Sequence, residues 1–168
     1  MSLLQNIFRK KLDVHEQKVV DDIREYGCHV TYVFEEGDDP AFTFSIGFPV
    51  TIGQSEVIIF GLKREVMHSM VNEIRRQCAD GLVLHDGVRI DGLIEGYQCV
   101  ARHLIDAGAI KEHFGWAIWY HRSQMRKELA EAYQIVWPGA LDGLYPWDEG
   151  CNELVTTSQP ALYKTSLH

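Results

Sequence analysis

The sequence predicts a single α+β domain in which helices pack on a largely antiparallel sheet. Segments of alternating hydrophobicity follow one another along the chain, and segments of helical periodicity come between them without strict β-α-β alternation. The 168 residues are 46% hydrophobic and 24% charged, which is typical of a globular protein. We expect one domain over residues 1–168, with a compact core at about 14–150 and mobile tails on either side.

The first predicted elements are a helix and two neighbouring strands. Asp13 and Glu16 have the spacing of a capping box, and apolar residues then recur at helical intervals, so a helix is predicted over 14–26. Apolar and polar residues alternate over 28–35 and again over 42–46, and a turn that contains glycine and proline separates the two runs. This pattern predicts a β-hairpin or a pair of adjacent strands.

The middle of the chain contains the clearest periodic signals. Residues 56–60 are apolar after the first position, which predicts a strand that is covered on both faces. Residues 63–79 have polar side chains on one helical face and apolar side chains on the other, which predicts an amphipathic helix. The apolar stripe that we expect to be buried on the sheet consists of Val66, Met67, Met70, Val71 and Ile74.

The region after this helix predicts a hairpin and then a buried helix. A two-residue link joins alternating runs at 88–94 and 97–104, which is the length of a hairpin turn. Residues 106–109 are expected to form a loop. The run at 113–122 is apolar nearly all round, so we predict a buried helix that continues or restarts near 128–131.

Charge and cysteine content limit the partners and the compartment. The net charge of −8 disfavours binding to nucleic acid, and no apolar segment is long enough for a membrane span. The N-terminal segment lacks the apolar core of a signal peptide, so a cytoplasmic protein is expected. No two cysteines are close enough in sequence for a zinc clamp or a redox pair. We therefore expect reduced thiols at Cys28, Cys78, Cys99 and Cys151.

The eight histidines raise the question of a metal site. No two of them have the His-x-x-x-His spacing that binds a metal ion on one helix, and no glycines form a nucleotide-binding loop. Neither a metal nor a cofactor is therefore expected. A site that His68, His85 and His103 build through tertiary contact stays as the alternative.

Four blocks of the sequence, taken in order, form a recognisable pattern. They are Phe-Thr-Phe-Ser-Ile-Gly-Phe at 42–48, Ser-Glu-Val-Ile-Ile-Phe-Gly-Leu at 55–62, Phe-Gly at 114–115 followed by Tyr120, and Gln-Ile-Val-Trp-Pro at 134–138 with Gly-Leu-Tyr-Pro-Trp-Asp at 143–148. Together they resemble the bacterial domain-of-unknown-function 4262 family over about residues 16–152. The resemblance supplies no activity, so function has to be argued from the residues.

The C-terminal half is richer in aromatic residues than core packing usually requires. Tryptophan and tyrosine suit pocket walls because they carry a polar group on an apolar ring. A last strand is predicted over 132–137, and the turn after it lets residues 144–148 return beside it. We predict a ligand-binding pocket from these residues, although Trp147 in the core and Asp148 as a turn cap is the alternative. The candidate site residues are Gln134, Trp137, Trp147, Asp148, His103 and Glu56.

These observations favour a small cytoplasmic module that binds a small molecule or a partner protein, with homo-oligomerisation as a further option. One alternative is a hydrolase-like or transferase-like enzyme that uses Asp148, His103 and Glu56. A second alternative is an immunity-like inhibitor of a basic partner, because the acidic charge would steer such a pair together. Several ionisable groups gathered in one cleft would favour the enzyme.

Overall fold

The computed structural model describes residues 11–165, which form one α+β domain, so the prediction for the N-terminal tail lies outside the described residues. The strands are β1 His29–Val33, β2 Phe42–Ile46, β3 Glu56–Phe60, β4 Arg89–Ile94, β5 Tyr97–Leu104 and β6 Ala132–Val136. The helices are α1 Val14–Tyr26, α2 Phe48–Thr51, α3 Arg64–Ala79, α4 Ala107–His113, α5 Gly115–Tyr120 and α6 Glu153–Ser158, with a π-helix at His121–Met125.

The strands form one open six-stranded sheet in the order β1-β2-β3-β6-β5-β4. All neighbouring pairs are antiparallel except β3 with β6, which confirms the predicted fold class. Because β3 and β6 run parallel, their first residues lie side by side at the same end of the two strands, with Glu56 opposite Ala132. Every residue of β3 is buried, as its apolar run predicts.

Helix α3 covers one face of the sheet through its apolar stripe. Met67, Met70, Val71 and Ile74 are buried against residues of the central strands, as the helical periodicity predicts. The prediction for Val66 is wrong, because its side chain is 38% exposed. At 3.6 residues per turn, Val66 lies about 100° round the helix from Met67, which puts it at the margin of the stripe.

Helices α1, α4 and α5 cover the opposite face, where Phe44, Ile58 and Phe114 are among the buried residues. The predicted capping box of α1 is present, since Asp13 accepts from the Glu16 backbone and Glu16 accepts from the Asp13 backbone. It closes the first turn of the helix that the sequence predicts over 14–26.

The segment between β5 and β6 differs from its prediction. Residues 107–109 begin α4, because the Asp106 carboxylate accepts from the backbone N–H groups of Gly108 and Ala109 and caps the helix. The predicted helix over 113–122 is divided between the end of α4, α5 and the π-helix. No helix forms at 128–131, where the chain runs without regular structure into β6.

The C-terminal segment, expected to be mobile, contains α6 and places Gln159 and Tyr163 in buried positions. It packs over β5 and β6 on the face that α3 does not cover, where Tyr163 joins Val100 and Val136. Gly61 permits its close approach, because a Cβ atom there would lie 2.1 Å from the Ser158 carbonyl oxygen.

None of the described helices combines the length and apolar character needed to cross a membrane.

All four cysteines are free thiols, and three of them are buried. Burial raises the pKa of Cys28 and Cys78 to about 11 and that of Cys99 to about 12, because a thiolate is poorly solvated in the core.

Replacing Met70 with alanine should lower the free energy of unfolding by roughly 2–5 kcal/mol, because it removes buried methylene groups and leaves a cavity. The matched control is Val66→Ala on the same helix, which should change stability by no more than about 0.5 kcal/mol. Urea unfolding followed by circular dichroism measures both values. Equal effects of the two substitutions would contradict the burial of Met70.

The folded protein should react with a thiol reagent at pH 8 mainly through Cys151, which is the partly exposed cysteine. The other three thiols are buried and protonated at this pH, and only the thiolate is nucleophilic. Counting the modified cysteines by mass spectrometry, with and without denaturant, checks this expectation. Rapid modification of Cys99 in the folded protein would be the opposite result.

Candidate functional site

Glu56 is a completely buried carboxylate at the first position of β3. Its Oε1 accepts hydrogen bonds from Ser45 Oγ at 2.8 Å and from the Phe48 backbone N–H at 3.1 Å. Its Oε2 accepts from the Gly47 backbone N–H at 2.8 Å and lies 2.8 Å from His121 Nε2. The four hydrogen bonds to the carboxylate oxygens offset the desolvation cost of burying this group.

The turn between β2 and α2 aims its backbone N–H groups at this carboxylate. Gly47 adopts φ +108°, and a Cβ atom at this position would lie 2.8 Å from Ile23. Glycine is therefore required by both the backbone conformation and the packing. Pro49 follows at the start of α2, where a missing N–H costs no helical hydrogen bond. The sequence Ser-Ile-Gly-Phe-Pro thus builds the half of the site that holds Glu56.

His121 supplies the other half and is 4% exposed at the start of the π-helix. Because an ionised carboxylate can only accept hydrogen bonds, the tautomer that satisfies Glu56 carries its proton on Nε2. Nδ1 has no hydrogen-bond partner within residues 11–165. In the neutral ring this nitrogen is an acceptor, and it is the ring nitrogen available to another molecule.

Two uncommon backbone features lie beside His121. The π-helix at His121–Met125 is a rare conformation that often marks functional sites. Arg126, which ends it, has φ +56° and is the one non-glycine residue with positive φ in the described part of the chain. Such left-handed residues are uncommon and are also concentrated at functional sites. The backbone is therefore least regular where the histidine is positioned.

A cavity of about 380 Å³ opens next to the Glu56–His121 pair. The segment between α2 and β3 forms one wall, and residues 121–131 form the other. Its volume falls in the range of small-molecule sites. The lining residues are Pro49, Gly53, Gln54, Ser55, Glu56, His121, Met125, Lys127, Glu128, Leu129, Ala130 and Glu131. We refer to this space as the Glu56–His121 cavity.

Charged side chains at the cavity are mostly acidic and partly paired. Arg122 Nε and Nη2 donate to the Glu128 carboxylate, and this pairing lowers the pKa of Glu128. Glu131 accepts from Ser55 Oγ at 3.2 Å and lies 2.8 Å from His103 Nε2. The carboxylates outnumber the cations in the lining, so the cavity favours neutral or cationic molecules over anions.

Of the six sequence-predicted site residues, one lines this cavity and a second lies next to it. Glu56 belongs to its buried wall, and His103 stands behind Glu131. Burial raises the pKa of Asp86, but hydrogen bonds from the His103 backbone N–H and from Arg102 Nε outweigh this effect, so the pKa is lowered. His103 therefore lies outside the lining and pairs with Glu131, which is one of the lining residues.

Gln134 and Trp137 lie elsewhere, where the C-terminal segment bonds to the side chain of Gln134 and to the backbone of Trp137. Gln134 Nε2 donates to the Pro160 carbonyl at 2.9 Å, and its Oε1 accepts from the Leu162 N–H at 2.9 Å. Trp137 Nε1 donates to the Phe60 carbonyl at 2.8 Å. The polar side-chain groups of both residues therefore bond to backbone groups of the protein, which is a structural role.

Trp147 and Asp148 form a third location. Trp147 is 42% exposed and stacks on Tyr145, with the Arg102 guanidinium 4.9 Å from its ring centre. Asp148 accepts from the Tyr145 backbone N–H at 2.8 Å, which is the turn-capping contact considered as the alternative. The six residues therefore do not converge on one pocket, and their role in ligand binding stays a prediction.

His121 is the functional candidate that the sequence does not reveal. It stands eight residues after His113, a spacing that places the two rings on different parts of a helix and suggests no shared site. The available signals are a glutamate in an otherwise apolar strand and a histidine that directly continues an apolar helical run. Their pairing across 65 positions depends on tertiary structure.

The histidine cluster considered as a metal site is not formed in the described residues. Over residues 11–165, no three His, Cys, Asp or Glu side chains are grouped closely enough to hold a metal ion. His68 and His85 are exposed, and His103 pairs with Glu131.

Comparison with known proteins gives one family match. The model of a domain of unknown function, DUF4262, matches residues 22–152 and so covers the sheet, α3 to α5 and the whole Glu56–His121 cavity. Neither the curated proteins nor the solved structures contain a match to this chain.

Replacing Glu56 with glutamine should lower the free energy of unfolding by roughly 1–3 kcal/mol. Each carboxylate oxygen accepts a backbone N–H, so the new NH₂ group must face one of these donors and leave it unpaired. The control is Glu131→Gln at a side chain that is 54% exposed, where a change within about 0.5 kcal/mol is expected. Denaturant titration measures both, and an equally small effect at Glu56 would contradict the described bonding.

Proposed function

The chain belongs to the DUF4262 family, and from its site we propose that it binds a small polar molecule in the Glu56–His121 cavity. The observation that carries this proposal is the His121 ring, whose Nε2 is held by a buried carboxylate while Nδ1 is left without a partner in the described residues. A fixed acceptor at the wall of a concave space is the kind of group that orients a ligand.

The shape of the site supports a small molecule in preference to a protein partner. The cavity is concave, whereas a protein interface usually requires a broad complementary surface. Leu129 and Met125 offer apolar contact, and Gln54 and Ser55 offer polar contact. We propose a neutral or cationic ligand that contacts His121 Nδ1 through its own hydrogen-bond donor or through a bound water molecule, since the acidic lining and the net charge of −8 repel anions. The free thiols agree with the proposed cytoplasmic location.

Filling the cavity should abolish binding without disturbing the Glu56–His121 pair. Ala130 lines the cavity and is exposed, so Ala130→Trp places an indole in the space. Amino acids, polyamines, nucleosides and sugars at millimolar concentration serve as probes in thermal unfolding. A probe at a hundredfold excess over its Kd should stabilise the wild-type protein by about 2.7 kcal/mol and should leave Ala130→Trp unchanged.

The matched control is Ala107→Trp, at an exposed residue of α4 outside the cavity lining. This variant should respond to the same probe as the wild-type protein does. A probe that stabilises Ala130→Trp as strongly as the wild type binds elsewhere and contradicts the proposed site.

A further inference from the structure

The hydrogen bonding of His121 is the arrangement found in histidines that transfer protons. A buried carboxylate fixes one ring nitrogen, and the other ring nitrogen belongs to a residue that lines an open cavity. A carboxylate that orients an imidazole in this way sets its tautomer and stabilises the imidazolium that forms when the ring accepts a proton. Glu56 is in this reading a positioning residue, because it acts through His121.

Building on the proposed binding function, we propose that His121 is a general base for the hydrolysis of a small uncharged acyl compound in the Glu56–His121 cavity. We choose the acyl class because a second group at the site can donate a hydrogen bond to a carbonyl oxygen. Gln54 lines the same cavity, and its Oε1 is anchored by the Leu84 backbone N–H at 2.9 Å. This anchor leaves the Gln54 amide N–H groups without a partner in the described residues, as donors for a carbonyl oxygen.

The nearby serines favour water as the nucleophile. Ser45 Oγ donates to Glu56 and accepts from the Val57 N–H, so the glutamate stands between this serine and the histidine. In a hydrolytic triad the histidine occupies the central place, which makes Ser45 a support of Glu56. Ser55 Oγ donates its hydroxyl proton to Glu131, so this proton is not shared with His121.

The proposed step balances with water as the only co-reactant. His121 Nδ1 takes a proton from a water molecule, and the water oxygen forms a bond to the carbonyl carbon. The carbonyl π electrons move onto the carbonyl oxygen, which accepts from the Gln54 amide. When this oxygen reforms its double bond, the bond to the leaving group breaks, and the leaving group takes the proton from Nδ1. For an ester the products are an acid and an alcohol, and His121 returns to its neutral tautomer.

The probe that tests this chemistry is 4-nitrophenyl acetate, a small uncharged ester whose leaving group is followed by absorbance. We expect the wild-type protein to release nitrophenolate faster than the same concentration of free imidazole. His121→Gln should reduce the protein-dependent rate by about 100-fold, which is a typical contribution of a general base. The glutamine amide can still donate to Glu56, so this variant keeps a partner for the buried carboxylate.

Two further variants distinguish hydrolysis at this site from hydrolysis by other imidazoles and from a loss of rate caused by unfolding. Ala130→Trp keeps the Glu56–His121 pair but fills the cavity, so it should also lose the protein-dependent rate. His85→Gln removes an exposed imidazole outside the cavity lining and should keep the wild-type rate. Circular dichroism and thermal unfolding establish that each compared variant is folded. If His121→Gln does not fold, the loss in Ala130→Trp carries the test.

Several results would overturn the proposal. A wild-type rate no greater than that of imidazole contradicts acyl hydrolysis, as does an unchanged rate in His121→Gln or in Ala130→Trp. An acetyl group found on His121 by mass spectrometry contradicts direct attack by water. If a probe of the binding experiment still stabilises the wild type and not Ala130→Trp, the binding function stands while the hydrolytic one fails.

Discussion

The buried carboxylate of Glu56 is the constraint on which the central part of the structure depends. Its charge has to be compensated inside the protein, because removal of a carboxylate from water without partners costs several kcal/mol. The donors come from the end of β2, the turn into α2 and the π-helix. One strand residue therefore fixes the relative positions of three other segments, and these are the segments that border the cavity.

This arrangement explains why a charged group occupies a core position that an apolar residue would fill at a lower cost in free energy. Replacement of a buried ionic network by apolar residues is often neutral or stabilising in other proteins. Here Nδ1 of His121 has no partner in the described residues. The bonding is thus complete at Glu56 and incomplete at His121, next to the cavity.

The sequence predicts those parts of the fold that local periodicity controls. The alternation in 42–46, the apolar run in 56–60 and the stripe that includes Met70 all correspond to observed elements. In the segment 106–131 the apolar run predicts helix at 113–122, but the start of α4 at Ala107 is missed because Gly108 is a poor helix former. Asp106 as a cap and tertiary packing of Phe114 outweigh that local preference.

The candidate site was accessible to sequence reasoning only in part. Glu56 is conspicuous as a charged residue in an apolar strand, but its partner His121 lies 65 positions away and no spacing rule connects them. The aromatic residues of the C-terminal half drew attention because of their density. They are instead divided among several places, which include the core at Phe114 and Tyr120, the contact of Trp137 with Phe60, and the stack of Trp147 on Tyr145.

The irregular backbone after α5 follows from the same demand on His121. A regular helix that continued through residues 121–125 would rotate each side chain by 100° per residue, whereas a π-helix has more residues per turn and changes that rotation. The left-handed Arg126 then ends the helix and sends the chain along the cavity wall toward β6. Neither feature gives better backbone bonding than an α-helix would. Both are accounted for if the position of His121 against Glu56, with one nitrogen left for the cavity, is what this segment has to maintain.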